Sequence, residues 1–130
     1  MDPERLKSVP LFDSLDDDTR RKFSIWVGEL KVEEGKHLAD QGEWAYELFV
    51  IEDGTAEVVQ DGSPIAELGP GEFFGEMGVL ERARRNATVV AKTPMRLLTL
   101  SHWDVTRLRR ESPEAIDRLR EVIEQRRGGQ

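Results

Sequence analysis

Residues 69–91 contain the side chains whose types and spacing are best suited to binding an anion. Gly75 and Gly78 flank a short segment with one carboxylate, Glu76, and three arginines follow it, the last being Arg85. Glycine lets backbone N–H groups approach a ligand closely, and a helical turn starting there directs free N–H groups at an anion. Arg85 can form two parallel hydrogen bonds with a phosphate, whereas Glu76 can only accept them, which suits a sugar hydroxyl. This combination is typical of a nucleotide site.

The arginines directly follow an acidic stretch, which offers a second interpretation of them. Residues 30–80 contain twelve Asp or Glu and two Lys, a local net charge of −10, and Arg82, Arg84 and Arg85 come next. On charge alone, the arginines are better explained as partners of neighbouring carboxylates in weak surface ion pairs. The neighbouring glycines and Glu76 favour the binding site.

Composition sets the class of protein. The chain has 130 residues, of which 38% are hydrophobic and 35% charged, so we predict one soluble globular domain over residues 1–130. With 19 Lys and Arg against 26 Asp and Glu, the net charge is −7. An acidic chain is poorly suited to nucleic acid, whose binding depends on neutralising phosphates. Any anionic ligand must therefore find a local positive site.

Other functional classes lack the residues that they need. Cysteine is absent, which excludes disulfides, thiolate metal sites and cysteine nucleophiles. A metal-dependent jelly-roll enzyme is a further possibility for a β-barrel of this size, but His37 and His102 cannot supply three imidazole ligands. No window approaches 18 apolar residues and the N-terminus has no apolar signal segment, so we predict a cytoplasmic protein without membrane insertion.

Three stretches with different periodicity must position the candidate site. Residues 1–30 have apolar side chains at helical spacing, including Phe23, Val27 and Leu30, and Pro10 suggests a short helix, a break and a longer helix. Residues 31–100 alternate short apolar runs with turn residues, which predicts strands of an antiparallel sandwich or barrel. The runs cover residues 48–51, 56–59, 65–68, 87–91 and 97–100. Asp61-Gly62 between two of these runs predicts a hairpin.

Residues 101–127 return to a helical pattern. Ser101 can cap a helix that contains Trp103, Val105 and Leu108. Ser112 and a proline at the first helical position then begin another helix. The apolar stripe of that last helix consists of Ala115, Ile116, Leu119, Val122 and Ile123.

Two segments of the anion-binding stretch carry a family resemblance. Phe-Gly-Glu-Met-Gly at 74–78 and Arg-Asn-Ala-Thr-Val at 85–89 resemble the phosphate-binding cassette of cyclic nucleotide-binding domains. That family includes the catabolite activator protein, the regulatory subunits of cyclic-AMP-dependent kinase and cyclic-nucleotide-gated channels. The resemblance covers nearly the whole chain and places the cassette at 74–88. It implies a mainly β fold, an antiparallel, jelly-roll-like β-roll with N-terminal helices at 1–30 and C-terminal lid helices at 101–127.

The resemblance also implies the ligand and the roles of individual residues. Glu76 would accept a hydrogen bond from the ribose 2′-hydroxyl, and Arg85 would pair with the cyclic phosphate. The backbone N–H groups of Gly75, Gly78 and Asn86 would complete the cradle. The implied ligand-binding residues are Gly75, Glu76, Met77, Gly78, Arg85, Asn86 and Ala87. Phe73 and Phe74 are interpreted as core residues, and no cofactor is implied beyond the cyclic nucleotide ligand.

Three positions depart from the family pattern. Gly78 stands where the family commonly has alanine, and Arg84 where it has proline before the phosphate arginine. Both changes keep the binding groups, although glycine makes a short helix less rigid. Asn86 matches neither the threonine that goes with cyclic GMP nor the alanine or serine that goes with cyclic AMP. It is equally explained as an exposed loop residue, and we expect cyclic AMP to be preferred.

These inferences predict a non-enzymatic sensor rather than a catalyst. A cyclic nucleotide would shift the C-terminal helices, and the last helix would fold over it as a lid. The side chains that would contact the ligand are Leu119, Val122, Ile123 and Arg126. The alternative is that these side chains only pack on the core of the domain. Since no output segment follows residue 130, we expect the effector to be a separate protein or a second copy. The alternative is a degenerate domain that keeps the fold and acts as a ligand-free interaction module.

Overall fold

The computed structural model describes residues 1–76 and 84–128, the last three through their backbone alone. Within these residues, the strands follow an N-terminal group of helices along the chain and precede a C-terminal group. The helices are α1 (Pro3–Leu6), α2 (Pro10–Asp13), α3 (Asp17–Ser24), α4 (His102–Glu111) and α5 (Pro113–Gly128). The strands are β1 (Gly28–Val32), β2 (His37–Ala39), β3 (Glu47–Asp53), β4 (Ala56–Gln60), β5 (Ser63–Leu68), β6 (Phe73–Phe74), β7 (Thr88–Ala91) and β8 (Met95–Ser101). None of these helices has the length and hydropathy needed to cross a bilayer.

The strands form two antiparallel sheets. The first sheet has the order β1-β8-β3-β6 and the second has the order β2-β7-β4-β5. Asp61 and Gly62 connect β4 to β5 with φ angles of 52° and 81°, and two left-handed residues are what a tight hairpin turn requires. The predicted antiparallel β-roll with flanking helices is therefore confirmed, as is the hairpin at Asp61-Gly62.

The first sheet is covered on both faces. Along β3, Leu48 and Val50 pack in a core with the helices, whereas Phe49 and Ile51 pack in a second core between the two sheets. Because successive side chains of a strand point to opposite faces, the unbroken apolar run at 48–51 needs apolar contacts on both sides. The first sheet is thus the middle of three layers.

The helical layer buries its apolar side chains against that middle sheet. All five helices contribute to this core, and the predicted stripe of α5 is buried along its length. Ser101 caps α4 as predicted, because its hydroxyl accepts a hydrogen bond from the Asp104 amide at 3.1 Å. The C-terminal helices are therefore fixed by apolar packing as well as by their caps.

Pro10 and Leu30 differ from their predicted structural positions. Pro10 begins α2 instead of interrupting a helix, because a proline at the first helical position has no N–H to lose. Leu30, predicted on a helix, lies on β1, where it pairs with Leu97 and is partly exposed. Trp103 lies in a helix as predicted, on α4, where it is 63% exposed and stacks on Tyr46.

Side-chain contacts also connect the N-terminal helix α3 to the C-terminal helix α5. Arg118 donates to the Thr19 hydroxyl at 2.8 Å and forms an ion pair with Asp16 at 2.9 Å. Lys22 contacts the Glu114 carboxylate at 3.3 Å. Hydrogen bonds from the Ser112 hydroxyl and the Glu114 amide, with Lys22 nearby, lower the pKa of Glu114 from 4.5 to about 2. The ionised Glu114 carboxylate thus contributes to the first turn of α5.

The lowered pKa predicts an acid-dependent contribution to stability. Because Glu114 has a lower pKa in the folded chain, its contribution is present above pH 4.5 and disappears as the pH falls towards about 2. We expect Glu114→Gln to reduce the pH dependence of the free energy of unfolding within that window. Urea denaturation at a series of pH values measures it, with Glu121→Gln, an exposed change on the same helix, as the control. An unchanged pH profile in Glu114→Gln would contradict this assignment.

Candidate functional site

Two backbone hydrogen bonds position Arg85 against the loop that precedes β3. The Arg85 amide donates to the Glu43 carbonyl at 2.7 Å, and the Gly42 amide donates to the Arg85 carbonyl at 2.8 Å. Trp44 and Arg84 form an antiparallel bridge beside them. The segment from Asp40 to Glu47, which ends on the first residue of β3 and is called the 40–47 loop below, therefore holds the backbone from which the Arg85 side chain extends.

The Arg85 guanidinium is only partly satisfied. Its Nη2 donates to the Glu47 carbonyl at 2.9 Å, and its Cζ lies 5.9 Å from the centre of the Phe49 ring. Its Nη1 is buried without a hydrogen-bond partner among the described residues. A buried donor of a charged group is costly when unpaired, and an anionic oxygen would satisfy it. The side chain is thus arranged to receive an acceptor that the described residues do not provide.

Burial and nearby charge act on Arg85 in opposite directions. Burial lowers the pKa of the guanidinium, while the carboxylates of Glu47 and Glu76 raise it. Arginine nevertheless stays protonated in proteins because its ordinary pKa is so high. The site therefore keeps a fixed positive charge close to two carboxylates within an acidic chain.

Gly75 makes room for this guanidinium. It has a φ of +88°, and a Cβ added there would lie 2.5 Å from the Glu47 carbonyl oxygen and still closer to Nη1 of Arg85. A larger residue would collide with main-chain atoms and also strain the backbone. Sequence reasoning assigned this glycine to the approach of a ligand, whereas the observed contact is with Arg85.

The remaining predicted cassette residues fall into two groups. Glu76 is partly buried, and its charge acts on Arg85, so these two predicted ligand groups lie in the same region. Asn86 is exposed and Ala87 is buried. Met77 and Gly78 lie outside the described residues, and their predicted contacts stay predictions.

The β4–β5 hairpin supports both segments of the site. Gln60 donates to the Asn86 carbonyl at 2.9 Å, while Gln41 exchanges hydrogen bonds with Asp61 at 2.8 and 2.9 Å. The Gln41 amide also donates to the Thr88 hydroxyl at 3.0 Å. The hairpin therefore ties the start of the 40–47 loop to the segment that follows Arg85.

Sequence reasoning missed the residues that surround the guanidinium. Glu47 contributes a main-chain carbonyl, which has no sequence signature, and Phe49 looked like an ordinary core residue. Phe49 stacks on Phe74 with ring centres 5.0 Å apart, so the interpretation of Phe74 as core is confirmed. One signal in the 40–47 loop was available: Trp44 and Tyr46 are aromatic residues in an otherwise polar loop.

The predicted lid residues lie in the core of the described structure. Leu119, Val122 and Ile123 are each at most 7% exposed and pack with the N-terminal helices. The Arg126 side chain lies outside the described residues. Their contact with a ligand thus stays a prediction. Elsewhere in the described ranges, no group of three or more His, Asp or Glu side chains could hold a metal ion.

Sequence comparison identifies the family of this site. A family model described as "Cyclic nucleotide-binding domain" matches residues 29–112, which include both predicted cassette segments. The chain belongs to this family. The resemblance predicted from residues 74–78 and 85–89 is confirmed, and the cyclic nucleotide-binding domain provides the framework for interpreting Arg85.

Individual relatives agree with this membership. The chain is 35% identical to a cAMP-dependent protein kinase regulatory subunit of Schizosaccharomyces pombe, over 95% of this chain and 29% of the relative. It is 34% identical to a cyclic nucleotide-gated potassium channel of Rhizobium etli, over 94% and 34%. The N-terminal domain of a transcriptional regulator from Streptomyces coelicolor has a TM-score of 0.79 at 28% identity, covering 93% of this chain and 90% of that one. The chain spans about a third of the two curated relatives' length.

The contact between Gly75 and Arg85 predicts a steric effect. Gly75→Ala should destabilise the fold more than Gly35→Ala, because both glycines have a φ of +88° but nothing lies within 4 Å of a Cβ at Gly35. The shared backbone strain costs about 1 kcal/mol, and the collision adds about 1–3 kcal/mol. Chemical denaturation of both variants measures the difference. Equal losses would contradict the close approach at Gly75.

Proposed function

We propose that this chain is a non-catalytic sensor domain that binds a cyclic nucleotide, with cyclic AMP preferred over cyclic GMP. Binding would shift the C-terminal helices and thereby signal to a separate partner or a second copy of the chain. The names of the relatives describe a kinase regulatory subunit and a ligand-gated channel, which supports a binding role rather than a catalytic one. The cytoplasmic location stays a prediction.

One observation carries the ligand assignment. Nη1 of Arg85 is buried beside Gly75 without a hydrogen-bond partner in the described residues, while Nη2 is held by the Glu47 carbonyl. A cyclic phosphate has an exocyclic oxygen anion that can accept from such a donor, and a charge-assisted hydrogen bond of this kind is strong. The fixed guanidinium therefore supports phosphate recognition.

Glu76 supplies the complementary function in this proposal. Its carboxylate can only accept hydrogen bonds, so it would bind the ribose 2′-hydroxyl rather than the phosphate. The amides of Gly75, Gly78 and Asn86 would add donors around the phosphate, and Met77 and Ala87 would contact the ligand. Glu76 also opposes the positive charge of Arg85, which limits the affinity for simple inorganic anions.

The preference for cyclic AMP has separate support. The Schizosaccharomyces pombe relative, at 35% identity, is named for its dependence on cAMP. Asn86 is exposed, and Gln60 binds only its main-chain carbonyl, so no described hydrogen bond directs its side chain towards a ligand. The exposure agrees with the interpretation of Asn86 as a loop residue.

Signalling through the C-terminal helices would use the contacts between α3 and α5. Arg118 and Lys22 form exposed or partly exposed ion pairs across these helices, and such pairs are weak. A ligand shifts a conformational equilibrium only by its different affinity for the two states. Weak polar contacts above a packed apolar core would allow the helices to shift without unfolding.

Calorimetric titration tests the ligand and its recognition. We expect the parent chain to bind cyclic AMP more tightly than cyclic GMP. Arg85→Ala should weaken binding by roughly 30-fold to several thousand-fold, because removing the partner of a buried ligand charge costs about 2–5 kcal/mol. Glu76→Gln should have a smaller effect because its amide oxygen still accepts a hydrogen bond.

The controls for this titration use a distant arginine and a fold measurement. Arg96→Ala removes an exposed arginine of β8 and should leave the affinity unchanged. Thermal unfolding shows whether each variant is folded. Absence of heat and of a thermal shift with both nucleotides would support the ligand-free interaction module instead. Parent-like binding by Arg85→Ala would reject the phosphate assignment.

Spin-label distances test the movement of the C-terminal helices. The natural chain has no cysteine, so labels can be placed at Ser63→Cys on β5 and Asp117→Cys on α5, which are both exposed. Saturating cyclic AMP should shift the distance distribution of this pair. Labels at Ser63→Cys and Glu34→Cys, both in the β-roll, should report no shift. An unchanged distance to α5 would argue against helix movement as the signal.

A further inference from the structure

A contact between two exposed side chains adjoins Arg85. The Arg84 Cζ lies 4.5 Å from the centre of the Trp44 ring, within the range of a cation–π interaction. Trp44 is 42% exposed, and Arg84 is also exposed. Their backbones form the bridge between the 40–47 loop and the segment before β7. Side-chain and main-chain contacts therefore join the same two residues.

Gly42 connects this contact to Arg85. Its carbonyl accepts a hydrogen bond from Nη1 of Arg84 at 2.8 Å, and its amide donates to the Arg85 carbonyl at 2.8 Å. Both arginines are therefore bonded to one residue of the loop. A movement of the Arg84 side chain would therefore act through Gly42 on the hydrogen bond that holds the Arg85 backbone.

We propose that Trp44 and Arg84 are positioning residues for the Arg85 guanidinium. The planar guanidinium of Arg84 stacks on Trp44 and donates a hydrogen bond to the Gly42 carbonyl. Gly42 in turn holds the Arg85 backbone through its amide. The Arg85 side chain is thereby kept within reach of the Glu47 carbonyl. The consequence for affinity rests on the proposed function. The consequence for the chain without a ligand does not, because the hydrogen bonds of Gly42 and Arg85 join protein groups only.

A simpler role for Arg84 makes a different prediction. As a second cation near a phosphate, Arg84 would act through its charge alone, and Trp44 would have no influence on binding. Trp44→Ala keeps every charge in the chain and removes the surface on which Arg84 stacks. This variant therefore separates positioning from electrostatic attraction.

A double-mutant comparison measures the effect on affinity. We expect Trp44→Ala to weaken cyclic AMP binding about three- to tenfold in the parent chain, but less than about twofold in an Arg84→Gln background. Arg107→Gln provides the matched control, because Arg107 lies over Trp26 at 5.1 Å in a second cation–π contact and should leave affinity unchanged. Equal losses from Trp44→Ala in both backgrounds, or no loss in either, would overturn the proposal.

Amide hydrogen exchange tests the same proposal without a ligand. In ligand-free Trp44→Ala, the amides of Gly42 and Arg85 should exchange about three- to tenfold faster than in the parent. Amides of β4, such as that of Val58, should be unchanged. Unchanged exchange at Gly42 and Arg85 would overturn the positioning role. A parent chain that binds no cyclic nucleotide would reject the proposed function, while faster exchange at these two amides would still support the positioning role.

Discussion

The arrangement of the site depends on placing one arginine side chain in a partly buried position. Nη2 of the Arg85 guanidinium donates to the Glu47 carbonyl, and the Phe49 ring lies beside the group. Gly75, which has no side chain, leaves room for Nη1. Glu47 and Phe49 lie on β3 and Gly75 directly follows β6, both in the first sheet, whereas Arg85 precedes β7 of the second sheet. Both sheets must therefore be in place before the site exists. The fold therefore orients the Arg85 guanidinium more firmly than contacts at an exposed surface would.

This arrangement leaves part of the charge unsatisfied. Folding removes Nη1 of Arg85 from water without giving it an acceptor among the described residues, and the surrounding packing stabilises that state. The carboxylates of Glu47 and Glu76 offset the cost of burying the cation only partly, since burial still lowers the pKa of Arg85. An anion that reaches Nη1 would therefore interact with a donor that is already oriented and largely free of competing water.

Local signals in the sequence predicted much of the fold but fewer of the site contacts. The hairpin at Asp61-Gly62 was predictable because two adjacent residues determine its backbone. Glu76 and Arg85 were recognisable as candidates because their neighbours form a contiguous pattern. The contact of Arg85 with Gly75 and the Glu47 carbonyl was not predictable, because it joins distant segments and uses main-chain atoms. The short strand β2 was also missed, since three residues give too little periodicity.

Strand β3 also limits where the chain can change in length. Its neighbouring side chains serve different cores, with Leu48 and Val50 under the helices and Phe49 between the sheets beside Arg85. Inserting a single residue within this strand would rotate every following side chain to the opposite face. Both cores would then lose complementary packing at once, and an insertion before Phe49 would carry its ring away from the guanidinium. An added residue should therefore be tolerated better in an exposed turn than within β3.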